Sequence, residues 1–355
     1  MFKINKIEKP KIYVDKSIKL MEEFAIKQRG EISKRFEKTV STFKKDKETN
    51  NLNKRKDLEL EKIRFLNNDL NNRIKKIIKT FPNFKILDEV YLKLLNTSNH
   101  KVPEVTDALA RLLWISNMID DFSQNFEHRI KKSSNQKSIG FMMGKYLGKI
   151  NSLFRKNKSY FEILEHTRIF MNKLPKFENL YTISIAGFPN VGKSTLMKKI
   201  TGSDVEIQNY PFTTKGLMFG YIKENNNKII QLIDTPGLLN RENKENHIEL
   251  KAKVIISDYS QSIIFILDLT ETSGFSIEQQ LKLLKETSQK NSNIIVYFSK
   301  VDIYNEETIE IKNDLGKKLK KYKQFSDSNK IKEFLISKYK SNLNKFDPKK
   351  LKSIK

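Results

Sequence analysis

The residues best equipped for chemistry run from Gly187 to Ser194, GFPNVGKS, with the spacing G-x-x-x-x-G-K-S. Glycines at both ends let the backbone turn so that successive N–H groups point inward at phosphate oxygens. A helix starting at the end of the loop adds partial positive charge at the same point. Asn190, Val191, Gly192, Lys193, Ser194 and Thr195 would then surround the phosphates of a nucleotide. Lys193 would reach the β- and γ-phosphates, and the Ser194 hydroxyl would hold Mg²⁺.

Asp234-Thr235-Pro236-Gly237 supplies a second cluster. Asp234 would hold the Mg²⁺ through water, and the Gly237 amide would sense the γ-phosphate. Between the two clusters lies YPFTT, where Thr214, preferred over Thr213, would place a hydroxyl on the metal. The expected metal set is Ser194, Thr214 and Asp234, and the expected catalytic groups are Lys193, Thr214 and Gly237. Leu238 stands where many nucleotide hydrolases place a glutamine that orients water, so unaided turnover should be slow, ~10⁻⁴ to 10⁻² s⁻¹. An external group or an ion must complete such a site. The Asn190 amide oxygen either holds K⁺ between the phosphates or only caps the loop.

A third cluster, Ser299-Lys300-Val301-Asp302, sets the base. The Asp302 carboxylate can accept both the N1–H and the 2-amino hydrogens of guanine. Adenine offers neither and would leave the carboxylate unpaired, so GTP and GDP are favoured. The Lys300 stem would cover the ring. Ser299 replaces the asparagine common in such loops, at a cost of roughly 0.5–1.5 kcal/mol in one hydrogen bond. Ser326, followed by Asp327, is the candidate for a last base contact. His100, His128, His166 and His247 have no metal-ligand spacing and receive no role.

The elements around these clusters must present them together. Tyr181 to Ala186 alternates as a strand, and Thr195 to Ile200 begins a helix. Strand-like runs follow at 217–222, 229–233, 262–267 and 293–298, with helical patterns at 248–257 and 276–290. That alternation implies a mostly parallel sheet with helices on both faces, its ligands beyond the carboxyl ends of the strands. Everything before Pro175 reads as helix: apolar residues recur at three- and four-residue steps through 18–25, 58–80, 105–129, 141–154 and 160–174. Residues 1–15 read as an extended arm with Pro10 preventing helix, and 44–56 as either a turn or a solvated helix face. Trp114 reads as core. The expected fold is thus an all-α bundle over 1–175, an α/β P-loop GTPase domain over 176–340 and a short basic tail over 341–355.

With 355 residues the chain can bury two cores. It carries a formal charge of +26, the larger share before Leu180. Such an excess points to a polyanion, RNA or an anionic membrane surface. Cysteine is absent, which excludes disulfides and thiolate metal sites. The N-terminus lacks a signal-peptide core and no stretch is long and apolar enough to span a membrane, so the cytoplasm is expected.

These residues together resemble the nucleolar GTP-binding protein 1 family, an Obg-related branch of GTPases, in a compact archaeal-type form. The resemblance lies in Tyr210 to Ile222, Ile230 to Arg241 and Thr272 to Gln280. In the helical half it lies in Phe81 to Tyr91, in Arg111 to Trp114 and in the NKLP ending at Pro175. It implies a GTP-hydrolysing assembly factor of the large ribosomal subunit, monomeric, with rRNA and ribosomal proteins as partners and the helical domain on the rRNA. The alternatives are an RNA-binding placeholder with negligible hydrolysis and a membrane-surface GTPase.

Overall fold

A computed structural model describes residues 2–40, 47–202, 205–208, 217–234, 259–290 and 293–343. The chain forms two units, residues 2–87 with 99–172, and residues 88–98 with 173 onward.

The first unit holds the helices α1 (Pro10–Val40) and α2 (Lys47–Thr80). The short α3 (Glu89–Leu95) belongs to the second unit. The first unit continues with α4 (Val102–Lys132), α5 (Gln136–Lys156) and α6 (Lys158–Asn172). The expected helical spacing places Ile63, Leu66, Leu70 and Ile74 of α2 on one buried face, with Met21 and Ala25 of α1 and Leu112, Ile115 and Ile119 of α4 also buried. Pro10 does not keep the chain extended: it opens α1, where its missing N–H costs nothing and its fixed φ suits the first turn. Only residues 2–9 are extended, pinned by side chains of α6. Ile4 N donates to Asn172 Oδ1 (3.0 Å), and Ile7 N donates to Glu165 Oε2 (2.8 Å).

Buried polar groups in this unit have partners. Ser116 Oγ donates to Asn71 Oδ1 (2.6 Å), and Asn71 Nδ2 donates to Asp120 Oδ1 (2.8 Å), tying α2 to α4. Trp114 is not core. It is 39% exposed, with the Arg111 guanidinium 3.9 Å from its ring centroid, while Leu112 and Ile115 beside it take the buried face.

The second unit is built on a seven-stranded sheet in the order β2-β3-β4-β1-β5-β6-β7. Its strands are β1 (Tyr181–Ala186), β2 (Val205–Gln208), β3 (Leu217–Glu224), β4 (Asn227–Asp234), β5 (Ser262–Leu267), β6 (Ile294–Phe298) and β7 (Lys323–Phe325). β1, β4, β5, β6 and β7 run parallel, and only β2 and β3 pair antiparallel. The β-branched runs read as central strands because both faces are covered. On one face Ile183, Ile185, Ile264 and Ile266 pack with Leu196, Met197 and Ile200 of α7 (Lys193–Thr201). On the other, Phe265, Leu267, Val296 and Phe298 pack with Leu283 and Leu284 of α8 (Ile277–Lys290) and Leu315 of α9 (Glu306–Lys318). The last helix, α10 (Ser328–Leu343), adds Ile331 and Leu335 to the first face.

α3 joins this unit through aromatic contacts. The Tyr91 hydroxyl donates to Pro175 O (3.2 Å) and accepts from Phe177 N (2.9 Å). Phe177 in turn meets Tyr91, Phe219 and Tyr259 edge-on.

Candidate nucleotide site

Five parallel strands end at one edge of the sheet, and each hands over to a candidate residue. β1 ends at Ala186, before Gly187, and Asp234, the last residue of β4, lies in register with Ile185. β5 is followed by Asp268, β6 by Ser299 and β7 by Ser326. β1 lies between β4 and β5, where the connections diverge to opposite sides of the sheet, the place where such folds open a crevice.

The phosphate loop depends on backbone that only glycine adopts freely. Gly187 has φ +145°, and a Cβ there would stand 2.9 Å from Ile266 O. Gly192 has φ +99° and caps α7, so the helix N-terminus faces the loop. Asn190 is also left-handed, at φ +60°, and exposed. Lys193 is buried, its ammonium folded onto the loop's own carbonyls, Phe188 O at 2.7 Å and Gly187 O at 3.1 Å. Burial pushes this ammonium below its ordinary pKa, against the opposing pull of Asp234.

Ser194 Oγ donates to Asp234 Oδ2 at 2.8 Å. Asp234 is buried, and among the described residues its second oxygen, Oδ1, has no hydrogen-bond partner. Burial pushes the carboxyl up, and the Ser194 hydroxyl and Lys193 only partly offset it. A buried carboxylate oxygen without a donor, beside a hydroxyl and an ammonium, is a donor set that fits a hard, oxygen-liganded cation such as Mg²⁺.

The base side is built on the turn after β6. Ser299 is buried beside the phosphate loop, its Cβ 3.6 Å from where a Cβ on Gly192 would stand. Its hydroxyl donates to Leu267 O at 3.2 Å. Lys300 adopts the left-handed conformation, φ +54°, and its ammonium reaches Asp268 Oδ2 (2.8 Å) and Thr272 Oγ1 (2.7 Å). Asp302 sits exposed on the 3₁₀ turn Val301–Ile303, and no hydrogen bond to its carboxylate is found among the described residues. Ser326 follows Phe325, which is in register with Tyr297, and its hydroxyl accepts from Lys312 Nζ (3.1 Å). Thr195 lies exposed on the first turn of α7, and Val191 is buried.

Thr213, Thr214, Gly237, Leu238 and the helical pattern at 248–257 fall outside the described residues. His100 and His166 stack, with Nε2 and Nδ1 3.3 Å apart, but among the described residues no group of three or more metal-ligating side chains gathers. Two residues at the site escaped sequence reasoning. Asp268 is buried at the end of β5, and the only trace of it is a lone acid closing an apolar run. Phe275 stacks on Phe188 with ring centroids 4.1 Å apart, a pairing that no local pattern announces.

A phosphate loop, a metal-side aspartate and a base loop along one sheet edge define a P-loop GTPase. Residues 182–300 match the family described as 50S ribosome-binding GTPase, and residues 27–178 match the NOG1 N-terminal helical domain. An uncharacterized protein of Methanocaldococcus jannaschii is 33% identical over 272 residues, 76% of each chain. Nucleolar GTP-binding protein 1 of Caenorhabditis elegans is 31% identical over 250 residues, 68% of this chain. A Plasmodium falciparum crystal structure bearing that protein name aligns with 48% of this chain and 93% of its own, at 26% identity and a TM-score of 0.38. The chain belongs to the nucleolar GTP-binding protein 1 family. It spans 36% of the length of the worm protein. No helix among the described residues is long and apolar enough to cross a membrane.

Proposed function

We propose that the protein binds GTP, hydrolyses it to GDP, and serves as an assembly factor of the large ribosomal subunit that grips rRNA through its basic helices. The observation that carries the nucleotide reading is the Ser194–Asp234 pair, with an unpartnered carboxylate oxygen directly beneath the phosphate loop. Mg²⁺ bound there would neutralise charge on the β- and γ-phosphates. Lys193 would exchange its two loop carbonyls for phosphate oxygens, and Asp302 would accept the guanine edge while Lys300 covers the ring. Ser326 stands at the same edge as a last base contact. Thr214 and Gly237 complete the proposal as groups ordered by the γ-phosphate and released on hydrolysis. Asn190, exposed at the loop tip, is the proposed K⁺ ligand.

The RNA part draws support from the helical unit. α5 carries Lys137, Lys145, Lys149, Arg155 and Lys156 and no acidic residue. Trp114 offers an exposed ring capped by Arg111, a combination suited to phosphate and base contact. The protein would act as a monomer in the cytoplasm, beside ribosomal proteins.

Single-turnover GTP hydrolysis in K⁺ and in Na⁺, with and without purified large subunits, tests the reading. Slow turnover accelerated by subunits or K⁺ is expected, whereas hydrolysis unchanged by either would reduce the protein to a placeholder. Co-sedimentation with subunits across a salt series, beside liposome flotation, tests the partner. Retention by liposomes alone overturns the ribosomal reading.

A further inference from the structure

The least exposed charge near the site is not one of the motif residues. Asp268 is fully buried at the carboxyl end of β5. Its Oδ1 accepts from the amide and the hydroxyl of Thr270. Its Oδ2 accepts from Ser273 N (2.9 Å), from Lys300 Nζ (2.8 Å) and, at longer range, from the Thr272 hydroxyl (3.4 Å). The same ammonium also donates to Thr272 Oγ1 (2.7 Å). Lys300 is thus held at its tip from two sides while its backbone is left-handed. A long, flexible side chain becomes a fixed wall when both its ends are set.

The segment that begins at Asp268 also reaches the phosphate side. Gln280 of α8 accepts from Asp268 N and donates to Asp268 O, both at 2.8 Å, and donates to Phe275 O at 3.0 Å. One glutamine therefore fastens both ends of residues 268–275. Phe275 lies on the ring of Phe188 at an interplanar angle of 20°, and the Phe188 carbonyl accepts from Lys193. The base lysine and the phosphate lysine are connected through this one short loop.

We propose that Asp268 is a positioning residue for the nucleotide: through Lys300 it fixes the wall of the base pocket, and through the loop to Phe275 it ties that wall to the phosphate loop. The proposal rests on the guanine-nucleotide reading of the site. A buried ion pair contributes little net stability compared with apolar side chains of the same size. Geometry, rather than stability, is what this pair supplies. Asp302 has a different task, because it touches the polar edge of the base and so decides which base binds. Asp268 acts on the ring's face, through the lysine stem, and is blind to the edge.

Calorimetry with GDP and with inosine diphosphate, which lacks the 2-amino group, separates these roles. D268N should weaken both ligands alike by about tenfold, leaving their ratio unchanged, because one charge-assisted bond to Lys300 is lost. D302N should change the ratio itself. In a K300M background, D268N should add less than about threefold, since the group it positions is gone and the buried carboxylate no longer has a partner. T272V, a milder change at the exposed contact, should weaken both ligands in the same pattern and serves if D268N folds poorly. D268N or T272V binding GDP as tightly as the unmodified protein overturns the proposal, as does a further tenfold loss from D268N in the K300M background. Unmodified protein that binds no guanine nucleotide overturns the reading of the site itself, and the proposal with it.

Discussion

Ser299 shows how one side chain sets affinity. Its single hydroxyl proton goes to Leu267 O, so the side chain braces β5 and offers nothing to the base. An asparagine at this position would have an amide long enough to bridge base and loop. S299N should tighten GDP binding by about threefold to tenfold, or roughly 0.5–1.5 kcal/mol. Unchanged affinity by calorimetry would show that the shorter residue costs nothing. Asp234 carries the opposite tension. Its folded pKa lies above its unfolded value, so burying its charge costs stability. The cost is absent well below the carboxylate range and present in full once the pH exceeds the folded pKa. D234N should therefore raise the melting temperature of the nucleotide-free protein at neutral pH, and should abolish the tightening of GTP by Mg²⁺. A lower melting temperature would contradict the assigned burial cost.

At the scale of elements, the site depends on where strands stop. β1 must leave the sheet at Gly187 with a positive φ and within van der Waals reach of the β5 backbone. Gly187→Ala should cost about 1–3 kcal/mol in urea unfolding, from backbone strain alone, and should remove phosphate binding. A variant of unchanged stability would mean that the loop relaxes without loss. The loop after β5 has a pH signature. Burial would push the Asp268 carboxyl up, but the Lys300 and Thr270 hydrogen bonds and the Lys300 charge outweigh it and hold it below the usual carboxylate range. Its stabilisation is thus complete above the unfolded pKa of ~4 and is lost as pH falls through the folded value. Urea midpoints measured from neutral to acid pH should fall less steeply in D268N than in the unmodified protein.

For the whole molecule, charge is the governing quantity. A chain at +26, with one helix wholly lacking acid residues, should bind RNA with strong salt dependence. If six to ten phosphates are contacted, affinity should fall about 10³- to 10⁵-fold between 50 and 200 mM salt. Reversing two charges of α5, K145E with K149E, should weaken RNA retention on filters and flatten that slope while leaving the GDP dissociation constant unchanged. A slope that does not change would move the RNA contact elsewhere.

Much of this molecule is written locally. The strands β1, β4, β5 and β6 were legible because doubly covered strands require unbroken β-branched runs, and the phosphate loop because its glycines, lysine and hydroxyl each answer to a chemical need at fixed spacing. The long helices were legible for the same reason, since their 3.6-residue period survives in the sequence whatever they pack against. β2 and β7 were not, being short edge strands with too few residues to show a period, and α3 gave no sign of which unit it would join. Trp114 looked like core because periodicity ranks neighbours by spacing, and only packing shows which side of the helix is covered. The Asp268–Lys300 pair and the Phe188–Phe275 stack belong to tertiary structure alone. They join residues far apart in the chain that share nothing until parallel strands bring their ends to one edge.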